Sequence, residues 1–127
     1  MENVKSYDEL LALYLHPTCK GFSTHPHCVA SRKSATCRDY LQMGIWVTNG
    51  IITEARFQGQ GCVISKAVAS LTVEMLIGYS LEQVCIIQPQ DIFALLGFDL
   101  TPAKQECALL SWHLLRLLVA SERLNYL

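Results

Sequence analysis

Between Leu41 and Thr48 apolar and polar side chains alternate, Leu41, Met43, Ile45 and Val47 against Gln42, Gly44, Trp46 and Thr48. A period of two marks a strand with one buried face. Asn49-Gly50 follows; a type I′ turn needs positive φ at both central residues, which this pair tolerates well. Alternation resumes over Ile51–Phe57, with Ile51, Thr53, Ala55 and Phe57 on one side and Ile52, Glu54 and Arg56 on the other. The pattern predicts an antiparallel hairpin.

Helical patterns surround it. Ser6–Leu15 carries Leu10, Leu13 and Tyr14 as an apolar stripe, with Ser6 as cap, Glu9 as its capping-box partner and Pro17 as the stop. Residues 16–36 show no sustained period and contain Pro17, Gly21 and Pro26, so they read as one long loop. Loops of that length in a small domain are often functional. After Gly59-Gln60-Gly61-Cys62 a helix is expected from about Ser65, burying Ala67, Val68, Leu71, Met75 and Leu76 and stopping at Gly78. A short helix follows at Leu81–Cys85, capped by Ser80, then a break at Gln88-Pro89-Gln90 and another short helix over Asp91–Leu96. The last helix is expected over Ala103–Arg123, opened by Thr101-Pro102. Helix, loop, hairpin, then helices argues an α+β fold with helices on one face of a small antiparallel sheet.

The chain has 127 residues, one domain's worth. With 51% apolar and 17% charged residues it is not a disordered tail. The longest apolar candidate, Ala108–Ala120, is broken by His113 and Arg116, and a membrane span needs about 20 apolar residues. A net charge of −1 lacks the basic footprint of a nucleic-acid binder. The first ten residues lack the basic and apolar regions of a secretory signal. The expected location is therefore the cytoplasm, where disulfides are a poor explanation for six cysteines. Metal, persulfide or nucleophile chemistry moves up.

Three of the cysteines fall at element boundaries: Cys37 before the first hairpin strand, Cys62 at a strand-to-helix turn and Cys107 in the first turn or so of the last helix. A helix N-terminus offers unpaired N–H groups and partial positive charge, which favour thiolate. Gly59 and Gly61 allow close backbone approach. Asp39, two residues beyond Cys37, points the same way on an extended segment. Three thiolates and a carboxylate supply four ligands for Zn²⁺ or an iron–sulfur centre. These residues are separated by 25 (37 to 62) and 45 (62 to 107) positions, so spacing alone is a weak signal and favours three buried core cysteines. No histidine ligand spacing exists beyond His25-x-His27, and no phosphate loop, serine elbow or paired-carboxylate signature stands out.

At these residues a resemblance emerges. Phe57-Gln-Gly-Gln-Gly-Cys62-Val-Ile-Ser-Lys-Ala-Val-Ala-Ser70 resembles the central motif of the U-type iron–sulfur cluster scaffolds (IscU, SufU and the N-terminal domain of NifU). Cys37-Arg38-Asp39 is similar to that family's Cys-Gly-Asp, and Leu100-Thr-Pro-Ala-Lys-Gln-Glu-Cys107 to its Leu-Pro-Pro-Val-Lys segment and third cysteine. Ala108-Leu-Leu-Ser-Trp112 is especially similar to SufU. The resemblance implies one scaffold domain over residues 1–127, with a three-stranded antiparallel sheet, an N-terminal helix and a long C-terminal helix. It implies Cys37, Asp39, Cys62 and Cys107 as ligands of a labile [2Fe–2S] cluster. Sulfur would come from a cysteine desulfurase to Cys107 or Cys62, and the cluster would pass to apo iron–sulfur proteins.

The alternative it implies is a zinc-dependent sulfurtransferase that holds Zn²⁺ with the same four residues and activates a desulfurase. A third reading is a degenerate interaction domain without metal. A chaperone is also implied as partner, although its recognition segment is only partly kept at Leu100–Lys104. Two departures stand beside the ligands: Arg38, a cation in place of glycine, and Glu106, either an extra ligand or a partner for Arg38. Cys19 reads as a surface thiol and Cys85 as core. Cys28, with His25 and His27, reads as an exposed loop residue, the alternative being an accessory metal site.

Overall fold

The fold is that of a computed structural model, which describes residues 6–17, 21–22, 24–34 and 39–125. Cys19, Cys37 and Arg38 lie outside the described residues. The chain opens with α1 (Tyr7–Leu15), whose first turn is capped by Ser6 Oγ accepting the Glu9 N–H at 3.3 Å. Three strands follow, β1 (Cys28–Lys33), β2 (Tyr40–Thr48) and β3 (Ile51–Gln60), antiparallel in the order β1-β2-β3. Then come α2 (Val63–Leu76), α3 (Leu81–Cys85), α4 (Pro89–Phe93) and the long α5 (Pro102–Asn125).

The hairpin forms where the alternation predicts it, with Asn49 at φ 55° and Gly50 at φ 78° in its turn. Ala30, Met43 and Phe57 stand side by side across the sheet, all buried on one face. Burying a large side chain such as Phe57 is worth ~1.5–3 kcal/mol. α2 covers this face against β3, α5 covers it against β1 and β2, and the two helices touch each other. α1 packs on the far side of α2. Trp112 Nε1 donates to the Ile87 carbonyl at 2.9 Å and Arg116 to the Cys85 carbonyl at 2.7 Å, tying the α3–α4 region to α5. On the other face of the sheet a strap crosses: Gly21 N–H bonds the Phe57 carbonyl at 2.7 Å, Phe22 meets Trp46 edge to face at 6.1 Å, and Trp46 Nε1 donates to Thr24 Oγ1 at 3.0 Å.

Several expectations are corrected. The long loop over 16–36 contains β1, an edge strand. Only Cys28 and Ala30 point inward before Ser31, Arg32 and Lys33 turn to solvent, so no hydrophobic period betrays it. Cys28 is accordingly a buried core residue, not an exposed loop thiol. The His27 ring is not set up as an accessory metal ligand through Nδ1, which accepts the Val47 N–H at 2.9 Å.

In β3 the pairing skips Thr53, because Trp46 opposes Glu54 while Val47 opposes Ile52. This bulge turns Ile52 inward and leaves Ile51 and Thr53 exposed, the reverse of a strict alternation. Gln88-Pro89 is no break: Gln88 caps α4 and Pro89 takes its first turn, so that helix lies two residues earlier than the apolar pattern suggests. Cys85 is half-buried, packed against the core cluster.

Candidate metal centre

The candidate centre lies where β3 hands over to α2. Gly59, near the end of β3, holds φ +134°, and a Cβ there would strike the Tyr40 carbonyl oxygen. Glycine thus lets β3 close tightly on the start of β2, the register pairing Gly59 with Leu41 and Gln60 with Tyr40. This places Asp39, immediately before β2, beside Gly61 and Cys62. A Cβ on Gly61 would sit 3.4 Å from the Asp39 carboxyl carbon and would clash with Ser65 Oγ. The Asp39 carbonyl accepts the Ser34 N–H at 2.9 Å. Asp39 Oδ1 accepts the Cys62 N–H at 3.1 Å.

Cys62, not Ser65, opens α2. It is the N-cap, at φ −74° and ψ 174°, and its sulfur accepts the Ser65 N–H at 3.5 Å. Its thiol stands 3.6 Å from Ser65 Oγ, and the Ser65 hydroxyl donates to the Cys62 carbonyl at 3.2 Å. The helix-terminus placement expected from the sequence therefore applies to Cys62. It does not apply to Cys107. α5 begins at Pro102, so Cys107 lies in the second turn, past the four unpaired N–H groups of the helix start.

Asp39, Cys62 and Cys107 nevertheless converge: one ligand atom from each lies within 4.8 Å of the other two. Asp39 and Cys107 are 6% and 2% exposed, whereas Cys62 is half-buried. A cleft of about 300 Å³ opens beside Cys62, lined among others by Phe98, Leu100, Thr101 and Lys104. The donor set suits a metal by its own chemistry, two soft sulfurs and one carboxylate. Asp39 Oδ2 is buried with no hydrogen-bond partner among the described residues. A buried carboxylate oxygen left without a donor is costly, and a cation supplies what it lacks. The residues present fit the group.

Glu106 is exposed and is not part of this cluster among the described residues. Its charge acts instead on His113, which is half-buried on α5. Burial holds the His113 pKa below its usual value, Arg32 lowers it further and Glu106 opposes both. Sequence reasoning used Ser65 only as a helix start and missed its contact with the Cys62 sulfur. The signal was the Cys-x-x-Ser spacing, which sets a side chain at the third helical position of a capped helix. Lys104, on the cleft wall, had no signal in the pattern.

Fold and site together define a small α+β domain with a buried thiol–carboxylate centre at a sheet-to-helix turn. Residues 5–122 match the NifU-like N terminal domain model, and the chain belongs to that family. It is 30% identical to the zinc-dependent sulfurtransferase SufU of Bacillus subtilis, over 86% of this chain and 85% of that one. It is also similar to the iron–sulfur cluster assembly scaffold protein IscU of Thermotoga maritima, 40% identical over 41% of this chain and 37% of that one. A solved SufU-type scaffold protein from Fervidobacterium islandicum shares the fold at a TM-score of 0.72 with 21% identity, over 87% of this chain and 94% of that one. No helix among the described residues is long and apolar enough to cross a membrane.

Proposed function

We propose that this chain is a metal–thiolate sulfur acceptor of iron–sulfur cluster assembly, with Cys37, Asp39, Cys62 and Cys107 holding one zinc ion. The observation that carries the reading is the tightness of the described donors, three ligand atoms within 4.8 Å of one another. Donors around one tetrahedral ion stand about 3.5–3.8 Å apart, given zinc–sulfur and zinc–oxygen bonds near 2.0–2.3 Å. In a two-iron cluster the four ligands divide between two metals, so donors gathered near one point fit a single ion more simply. Cys37 is included because it precedes Asp39 by two residues, and two residues of chain span at most about 7 Å. The likeness to SufU along most of both chains supports zinc. Bound zinc would keep its ligand thiols ionised at neutral pH.

The partner in this reading is a cysteine desulfurase. A thiolate of this chain attacks the outer sulfur of the donor's persulfide; the donor's S–S bond breaks, its thiolate leaves, and a new persulfide forms here. Cys62 and Cys107 are the described candidates for that thiolate. Of the two, Cys62 lines an open cleft while Cys107 is buried.

The second reading keeps the same residues as the site on which a [2Fe–2S] cluster is built and passed to apo-proteins. The likeness to IscU supports it, as does the cleft, which gives cargo a way out. Asp39 would then be the weaker ligand that favours release from an otherwise sulfur-rich set. A chaperone partner belongs to this reading alone. The convergence of three ligand atoms argues against a degenerate domain without metal. A cytoplasmic location is proposed with either reading.

The test is to mix the purified chain with a cysteine desulfurase and L-cysteine, and follow turnover and cysteine-peptide masses. Zinc in the starting protein, faster turnover and a persulfide on one of the three cysteines are expected. Protein that leaves turnover unchanged and gains no sulfur overturns the proposal.

A further inference from the structure

We propose that Ser65 is a positioning residue for the Cys62 sulfur, its hydroxyl able to pair with that sulfur both with and without metal. The proposal rests on the metal-centre reading above. Ser65 is fully buried, yet its hydrogen bonds run back to the turn that carries Cys62. Its N–H donates to Cys62 Sγ at 3.5 Å, its Oγ stands 3.6 Å from the same sulfur, and its O–H donates to the Cys62 carbonyl at 3.2 Å. Two of these contacts reach the sulfur itself, and the third ties the Ser65 side chain to the Cys62 backbone. Gly61 makes them possible, since a Cβ at that position would collide with Ser65 Oγ.

A hydroxyl is suited to this place because it is both donor and acceptor. With the thiol protonated, the S–H donates to Ser65 Oγ, and the hydroxyl hydrogen is spent on the Cys62 carbonyl. A metal-bound thiolate carries no proton and only accepts. By rotating about its C–O bond the hydroxyl would be able to donate to that sulfur beside the Ser65 N–H. The Cys62 carbonyl keeps the Lys66 N–H as partner, at 3.1 Å, so the rotation strands no acceptor. Alanine at position 65 retains the N–H contact and removes the adjustable one. Hydrogen bonds to a ligand sulfur draw charge from it, which is how outer partners tune a metal site.

The experiment loads cobalt(II) into the full chain and into Ser65→Ala and Ser65→Thr, each checked by circular dichroism to be folded. The sulfur-to-cobalt charge-transfer band in the near ultraviolet is recorded, and zinc affinity is measured by chelator competition. Ser65→Ala is expected to move the band to longer wavelength, because a sulfur with one hydrogen bond fewer gives up charge more readily. It is also expected to weaken zinc binding by about tenfold. Ser65→Thr, which keeps the hydroxyl, is expected to stay at the parental position. A band that Ser65→Ala leaves in place overturns the proposal. So does a shift in Ser65→Thr as large as that in Ser65→Ala, since the effect would then follow packing and not the hydroxyl. If the unsubstituted chain itself gives no band with cobalt, the metal reading falls and this proposal with it, a result distinct from a band that is present and does not move.

Discussion

Asp39 Oδ1 accepts the backbone N–H of Cys62 at 3.1 Å, a hydrogen bond spanning 23 residues of sequence. It joins the start of β2 to the start of α2, and it fixes one carboxylate oxygen against the protein. The other, Oδ2, stays buried without a hydrogen-bond partner among the described residues. One side chain thus serves as a structural clasp through one atom and offers a ligand through the other.

These two roles separate by mutation. Asp39→Asn retains an oxygen to accept the Cys62 N–H but loses the negative charge. Its metal-free thermal stability should stay near the parental value, while metal affinity falls by at least about tenfold. Asp39→Ala strands the N–H as well, and should cost a further ~1–3 kcal/mol of stability in chemical denaturation. Equal stability of the two variants would show that the clasp contributes nothing.

Cys62 is the N-cap of α2 and, in the proposed function, also a metal ligand. Serine is among the best N-caps, so Cys62→Ser should unfold at or slightly above the parental temperature when both proteins are metal-free. The same variant should hold far less metal. A large loss of metal-free stability would mean that the sulfur is needed for packing and not for capping.

Gly59 sits at φ +134° with the Tyr40 carbonyl where a Cβ would go. Gly59→Ala should cost about 1–3 kcal/mol from backbone strain alone, more with the clash, and it should weaken metal binding through the shift of Asp39. Denaturant titration with and without zinc checks both.

Burial and Arg32 hold the His113 pKa below its usual value, against the pull of Glu106. A histidine whose folded pKa is lowered takes up protons more readily in the unfolded chain. Its contribution is complete above the ordinary histidine value of about 6.5 and is lost as pH falls toward the lowered folded value. Between pH about 7.5 and about 5.5, the parental protein should lose more thermal stability than His113→Gln, both in excess chelator. Identical losses would contradict this.

Elements that bury a regular face were legible in the sequence. The hairpin, α1, α3 and most of α5 follow from periodicity and caps because in each the local pattern agrees with the packing. β1 was not legible, since only Cys28 and Ala30 face the core and its remaining residues are polar. Nor was the inward turn of Ile52, which depends on a bulge set by the pairing of β2 with β3 and not by either strand alone. The site divides the same way. Cys62 is marked by its glycines, and Asp39 by its place two residues after a cysteine. The approach of Cys107, 45 positions beyond Cys62, is produced by the packing of α5 against α2, which no local window contains. The motif resemblance supplied that contact where spacing was silent.

One proposed centre, built from sulfur and a carboxylate, underlies the metal-binding outcomes above. X-ray absorption at the metal edge, on protein purified without oxygen and analysed for metal content, reads that centre most directly. The predicted result is one zinc ion per chain with three sulfur neighbours and one oxygen, the oxygen being replaced or lost in Asp39→Ala. A folded chain that carries no metal and takes up none when zinc is supplied would contradict it.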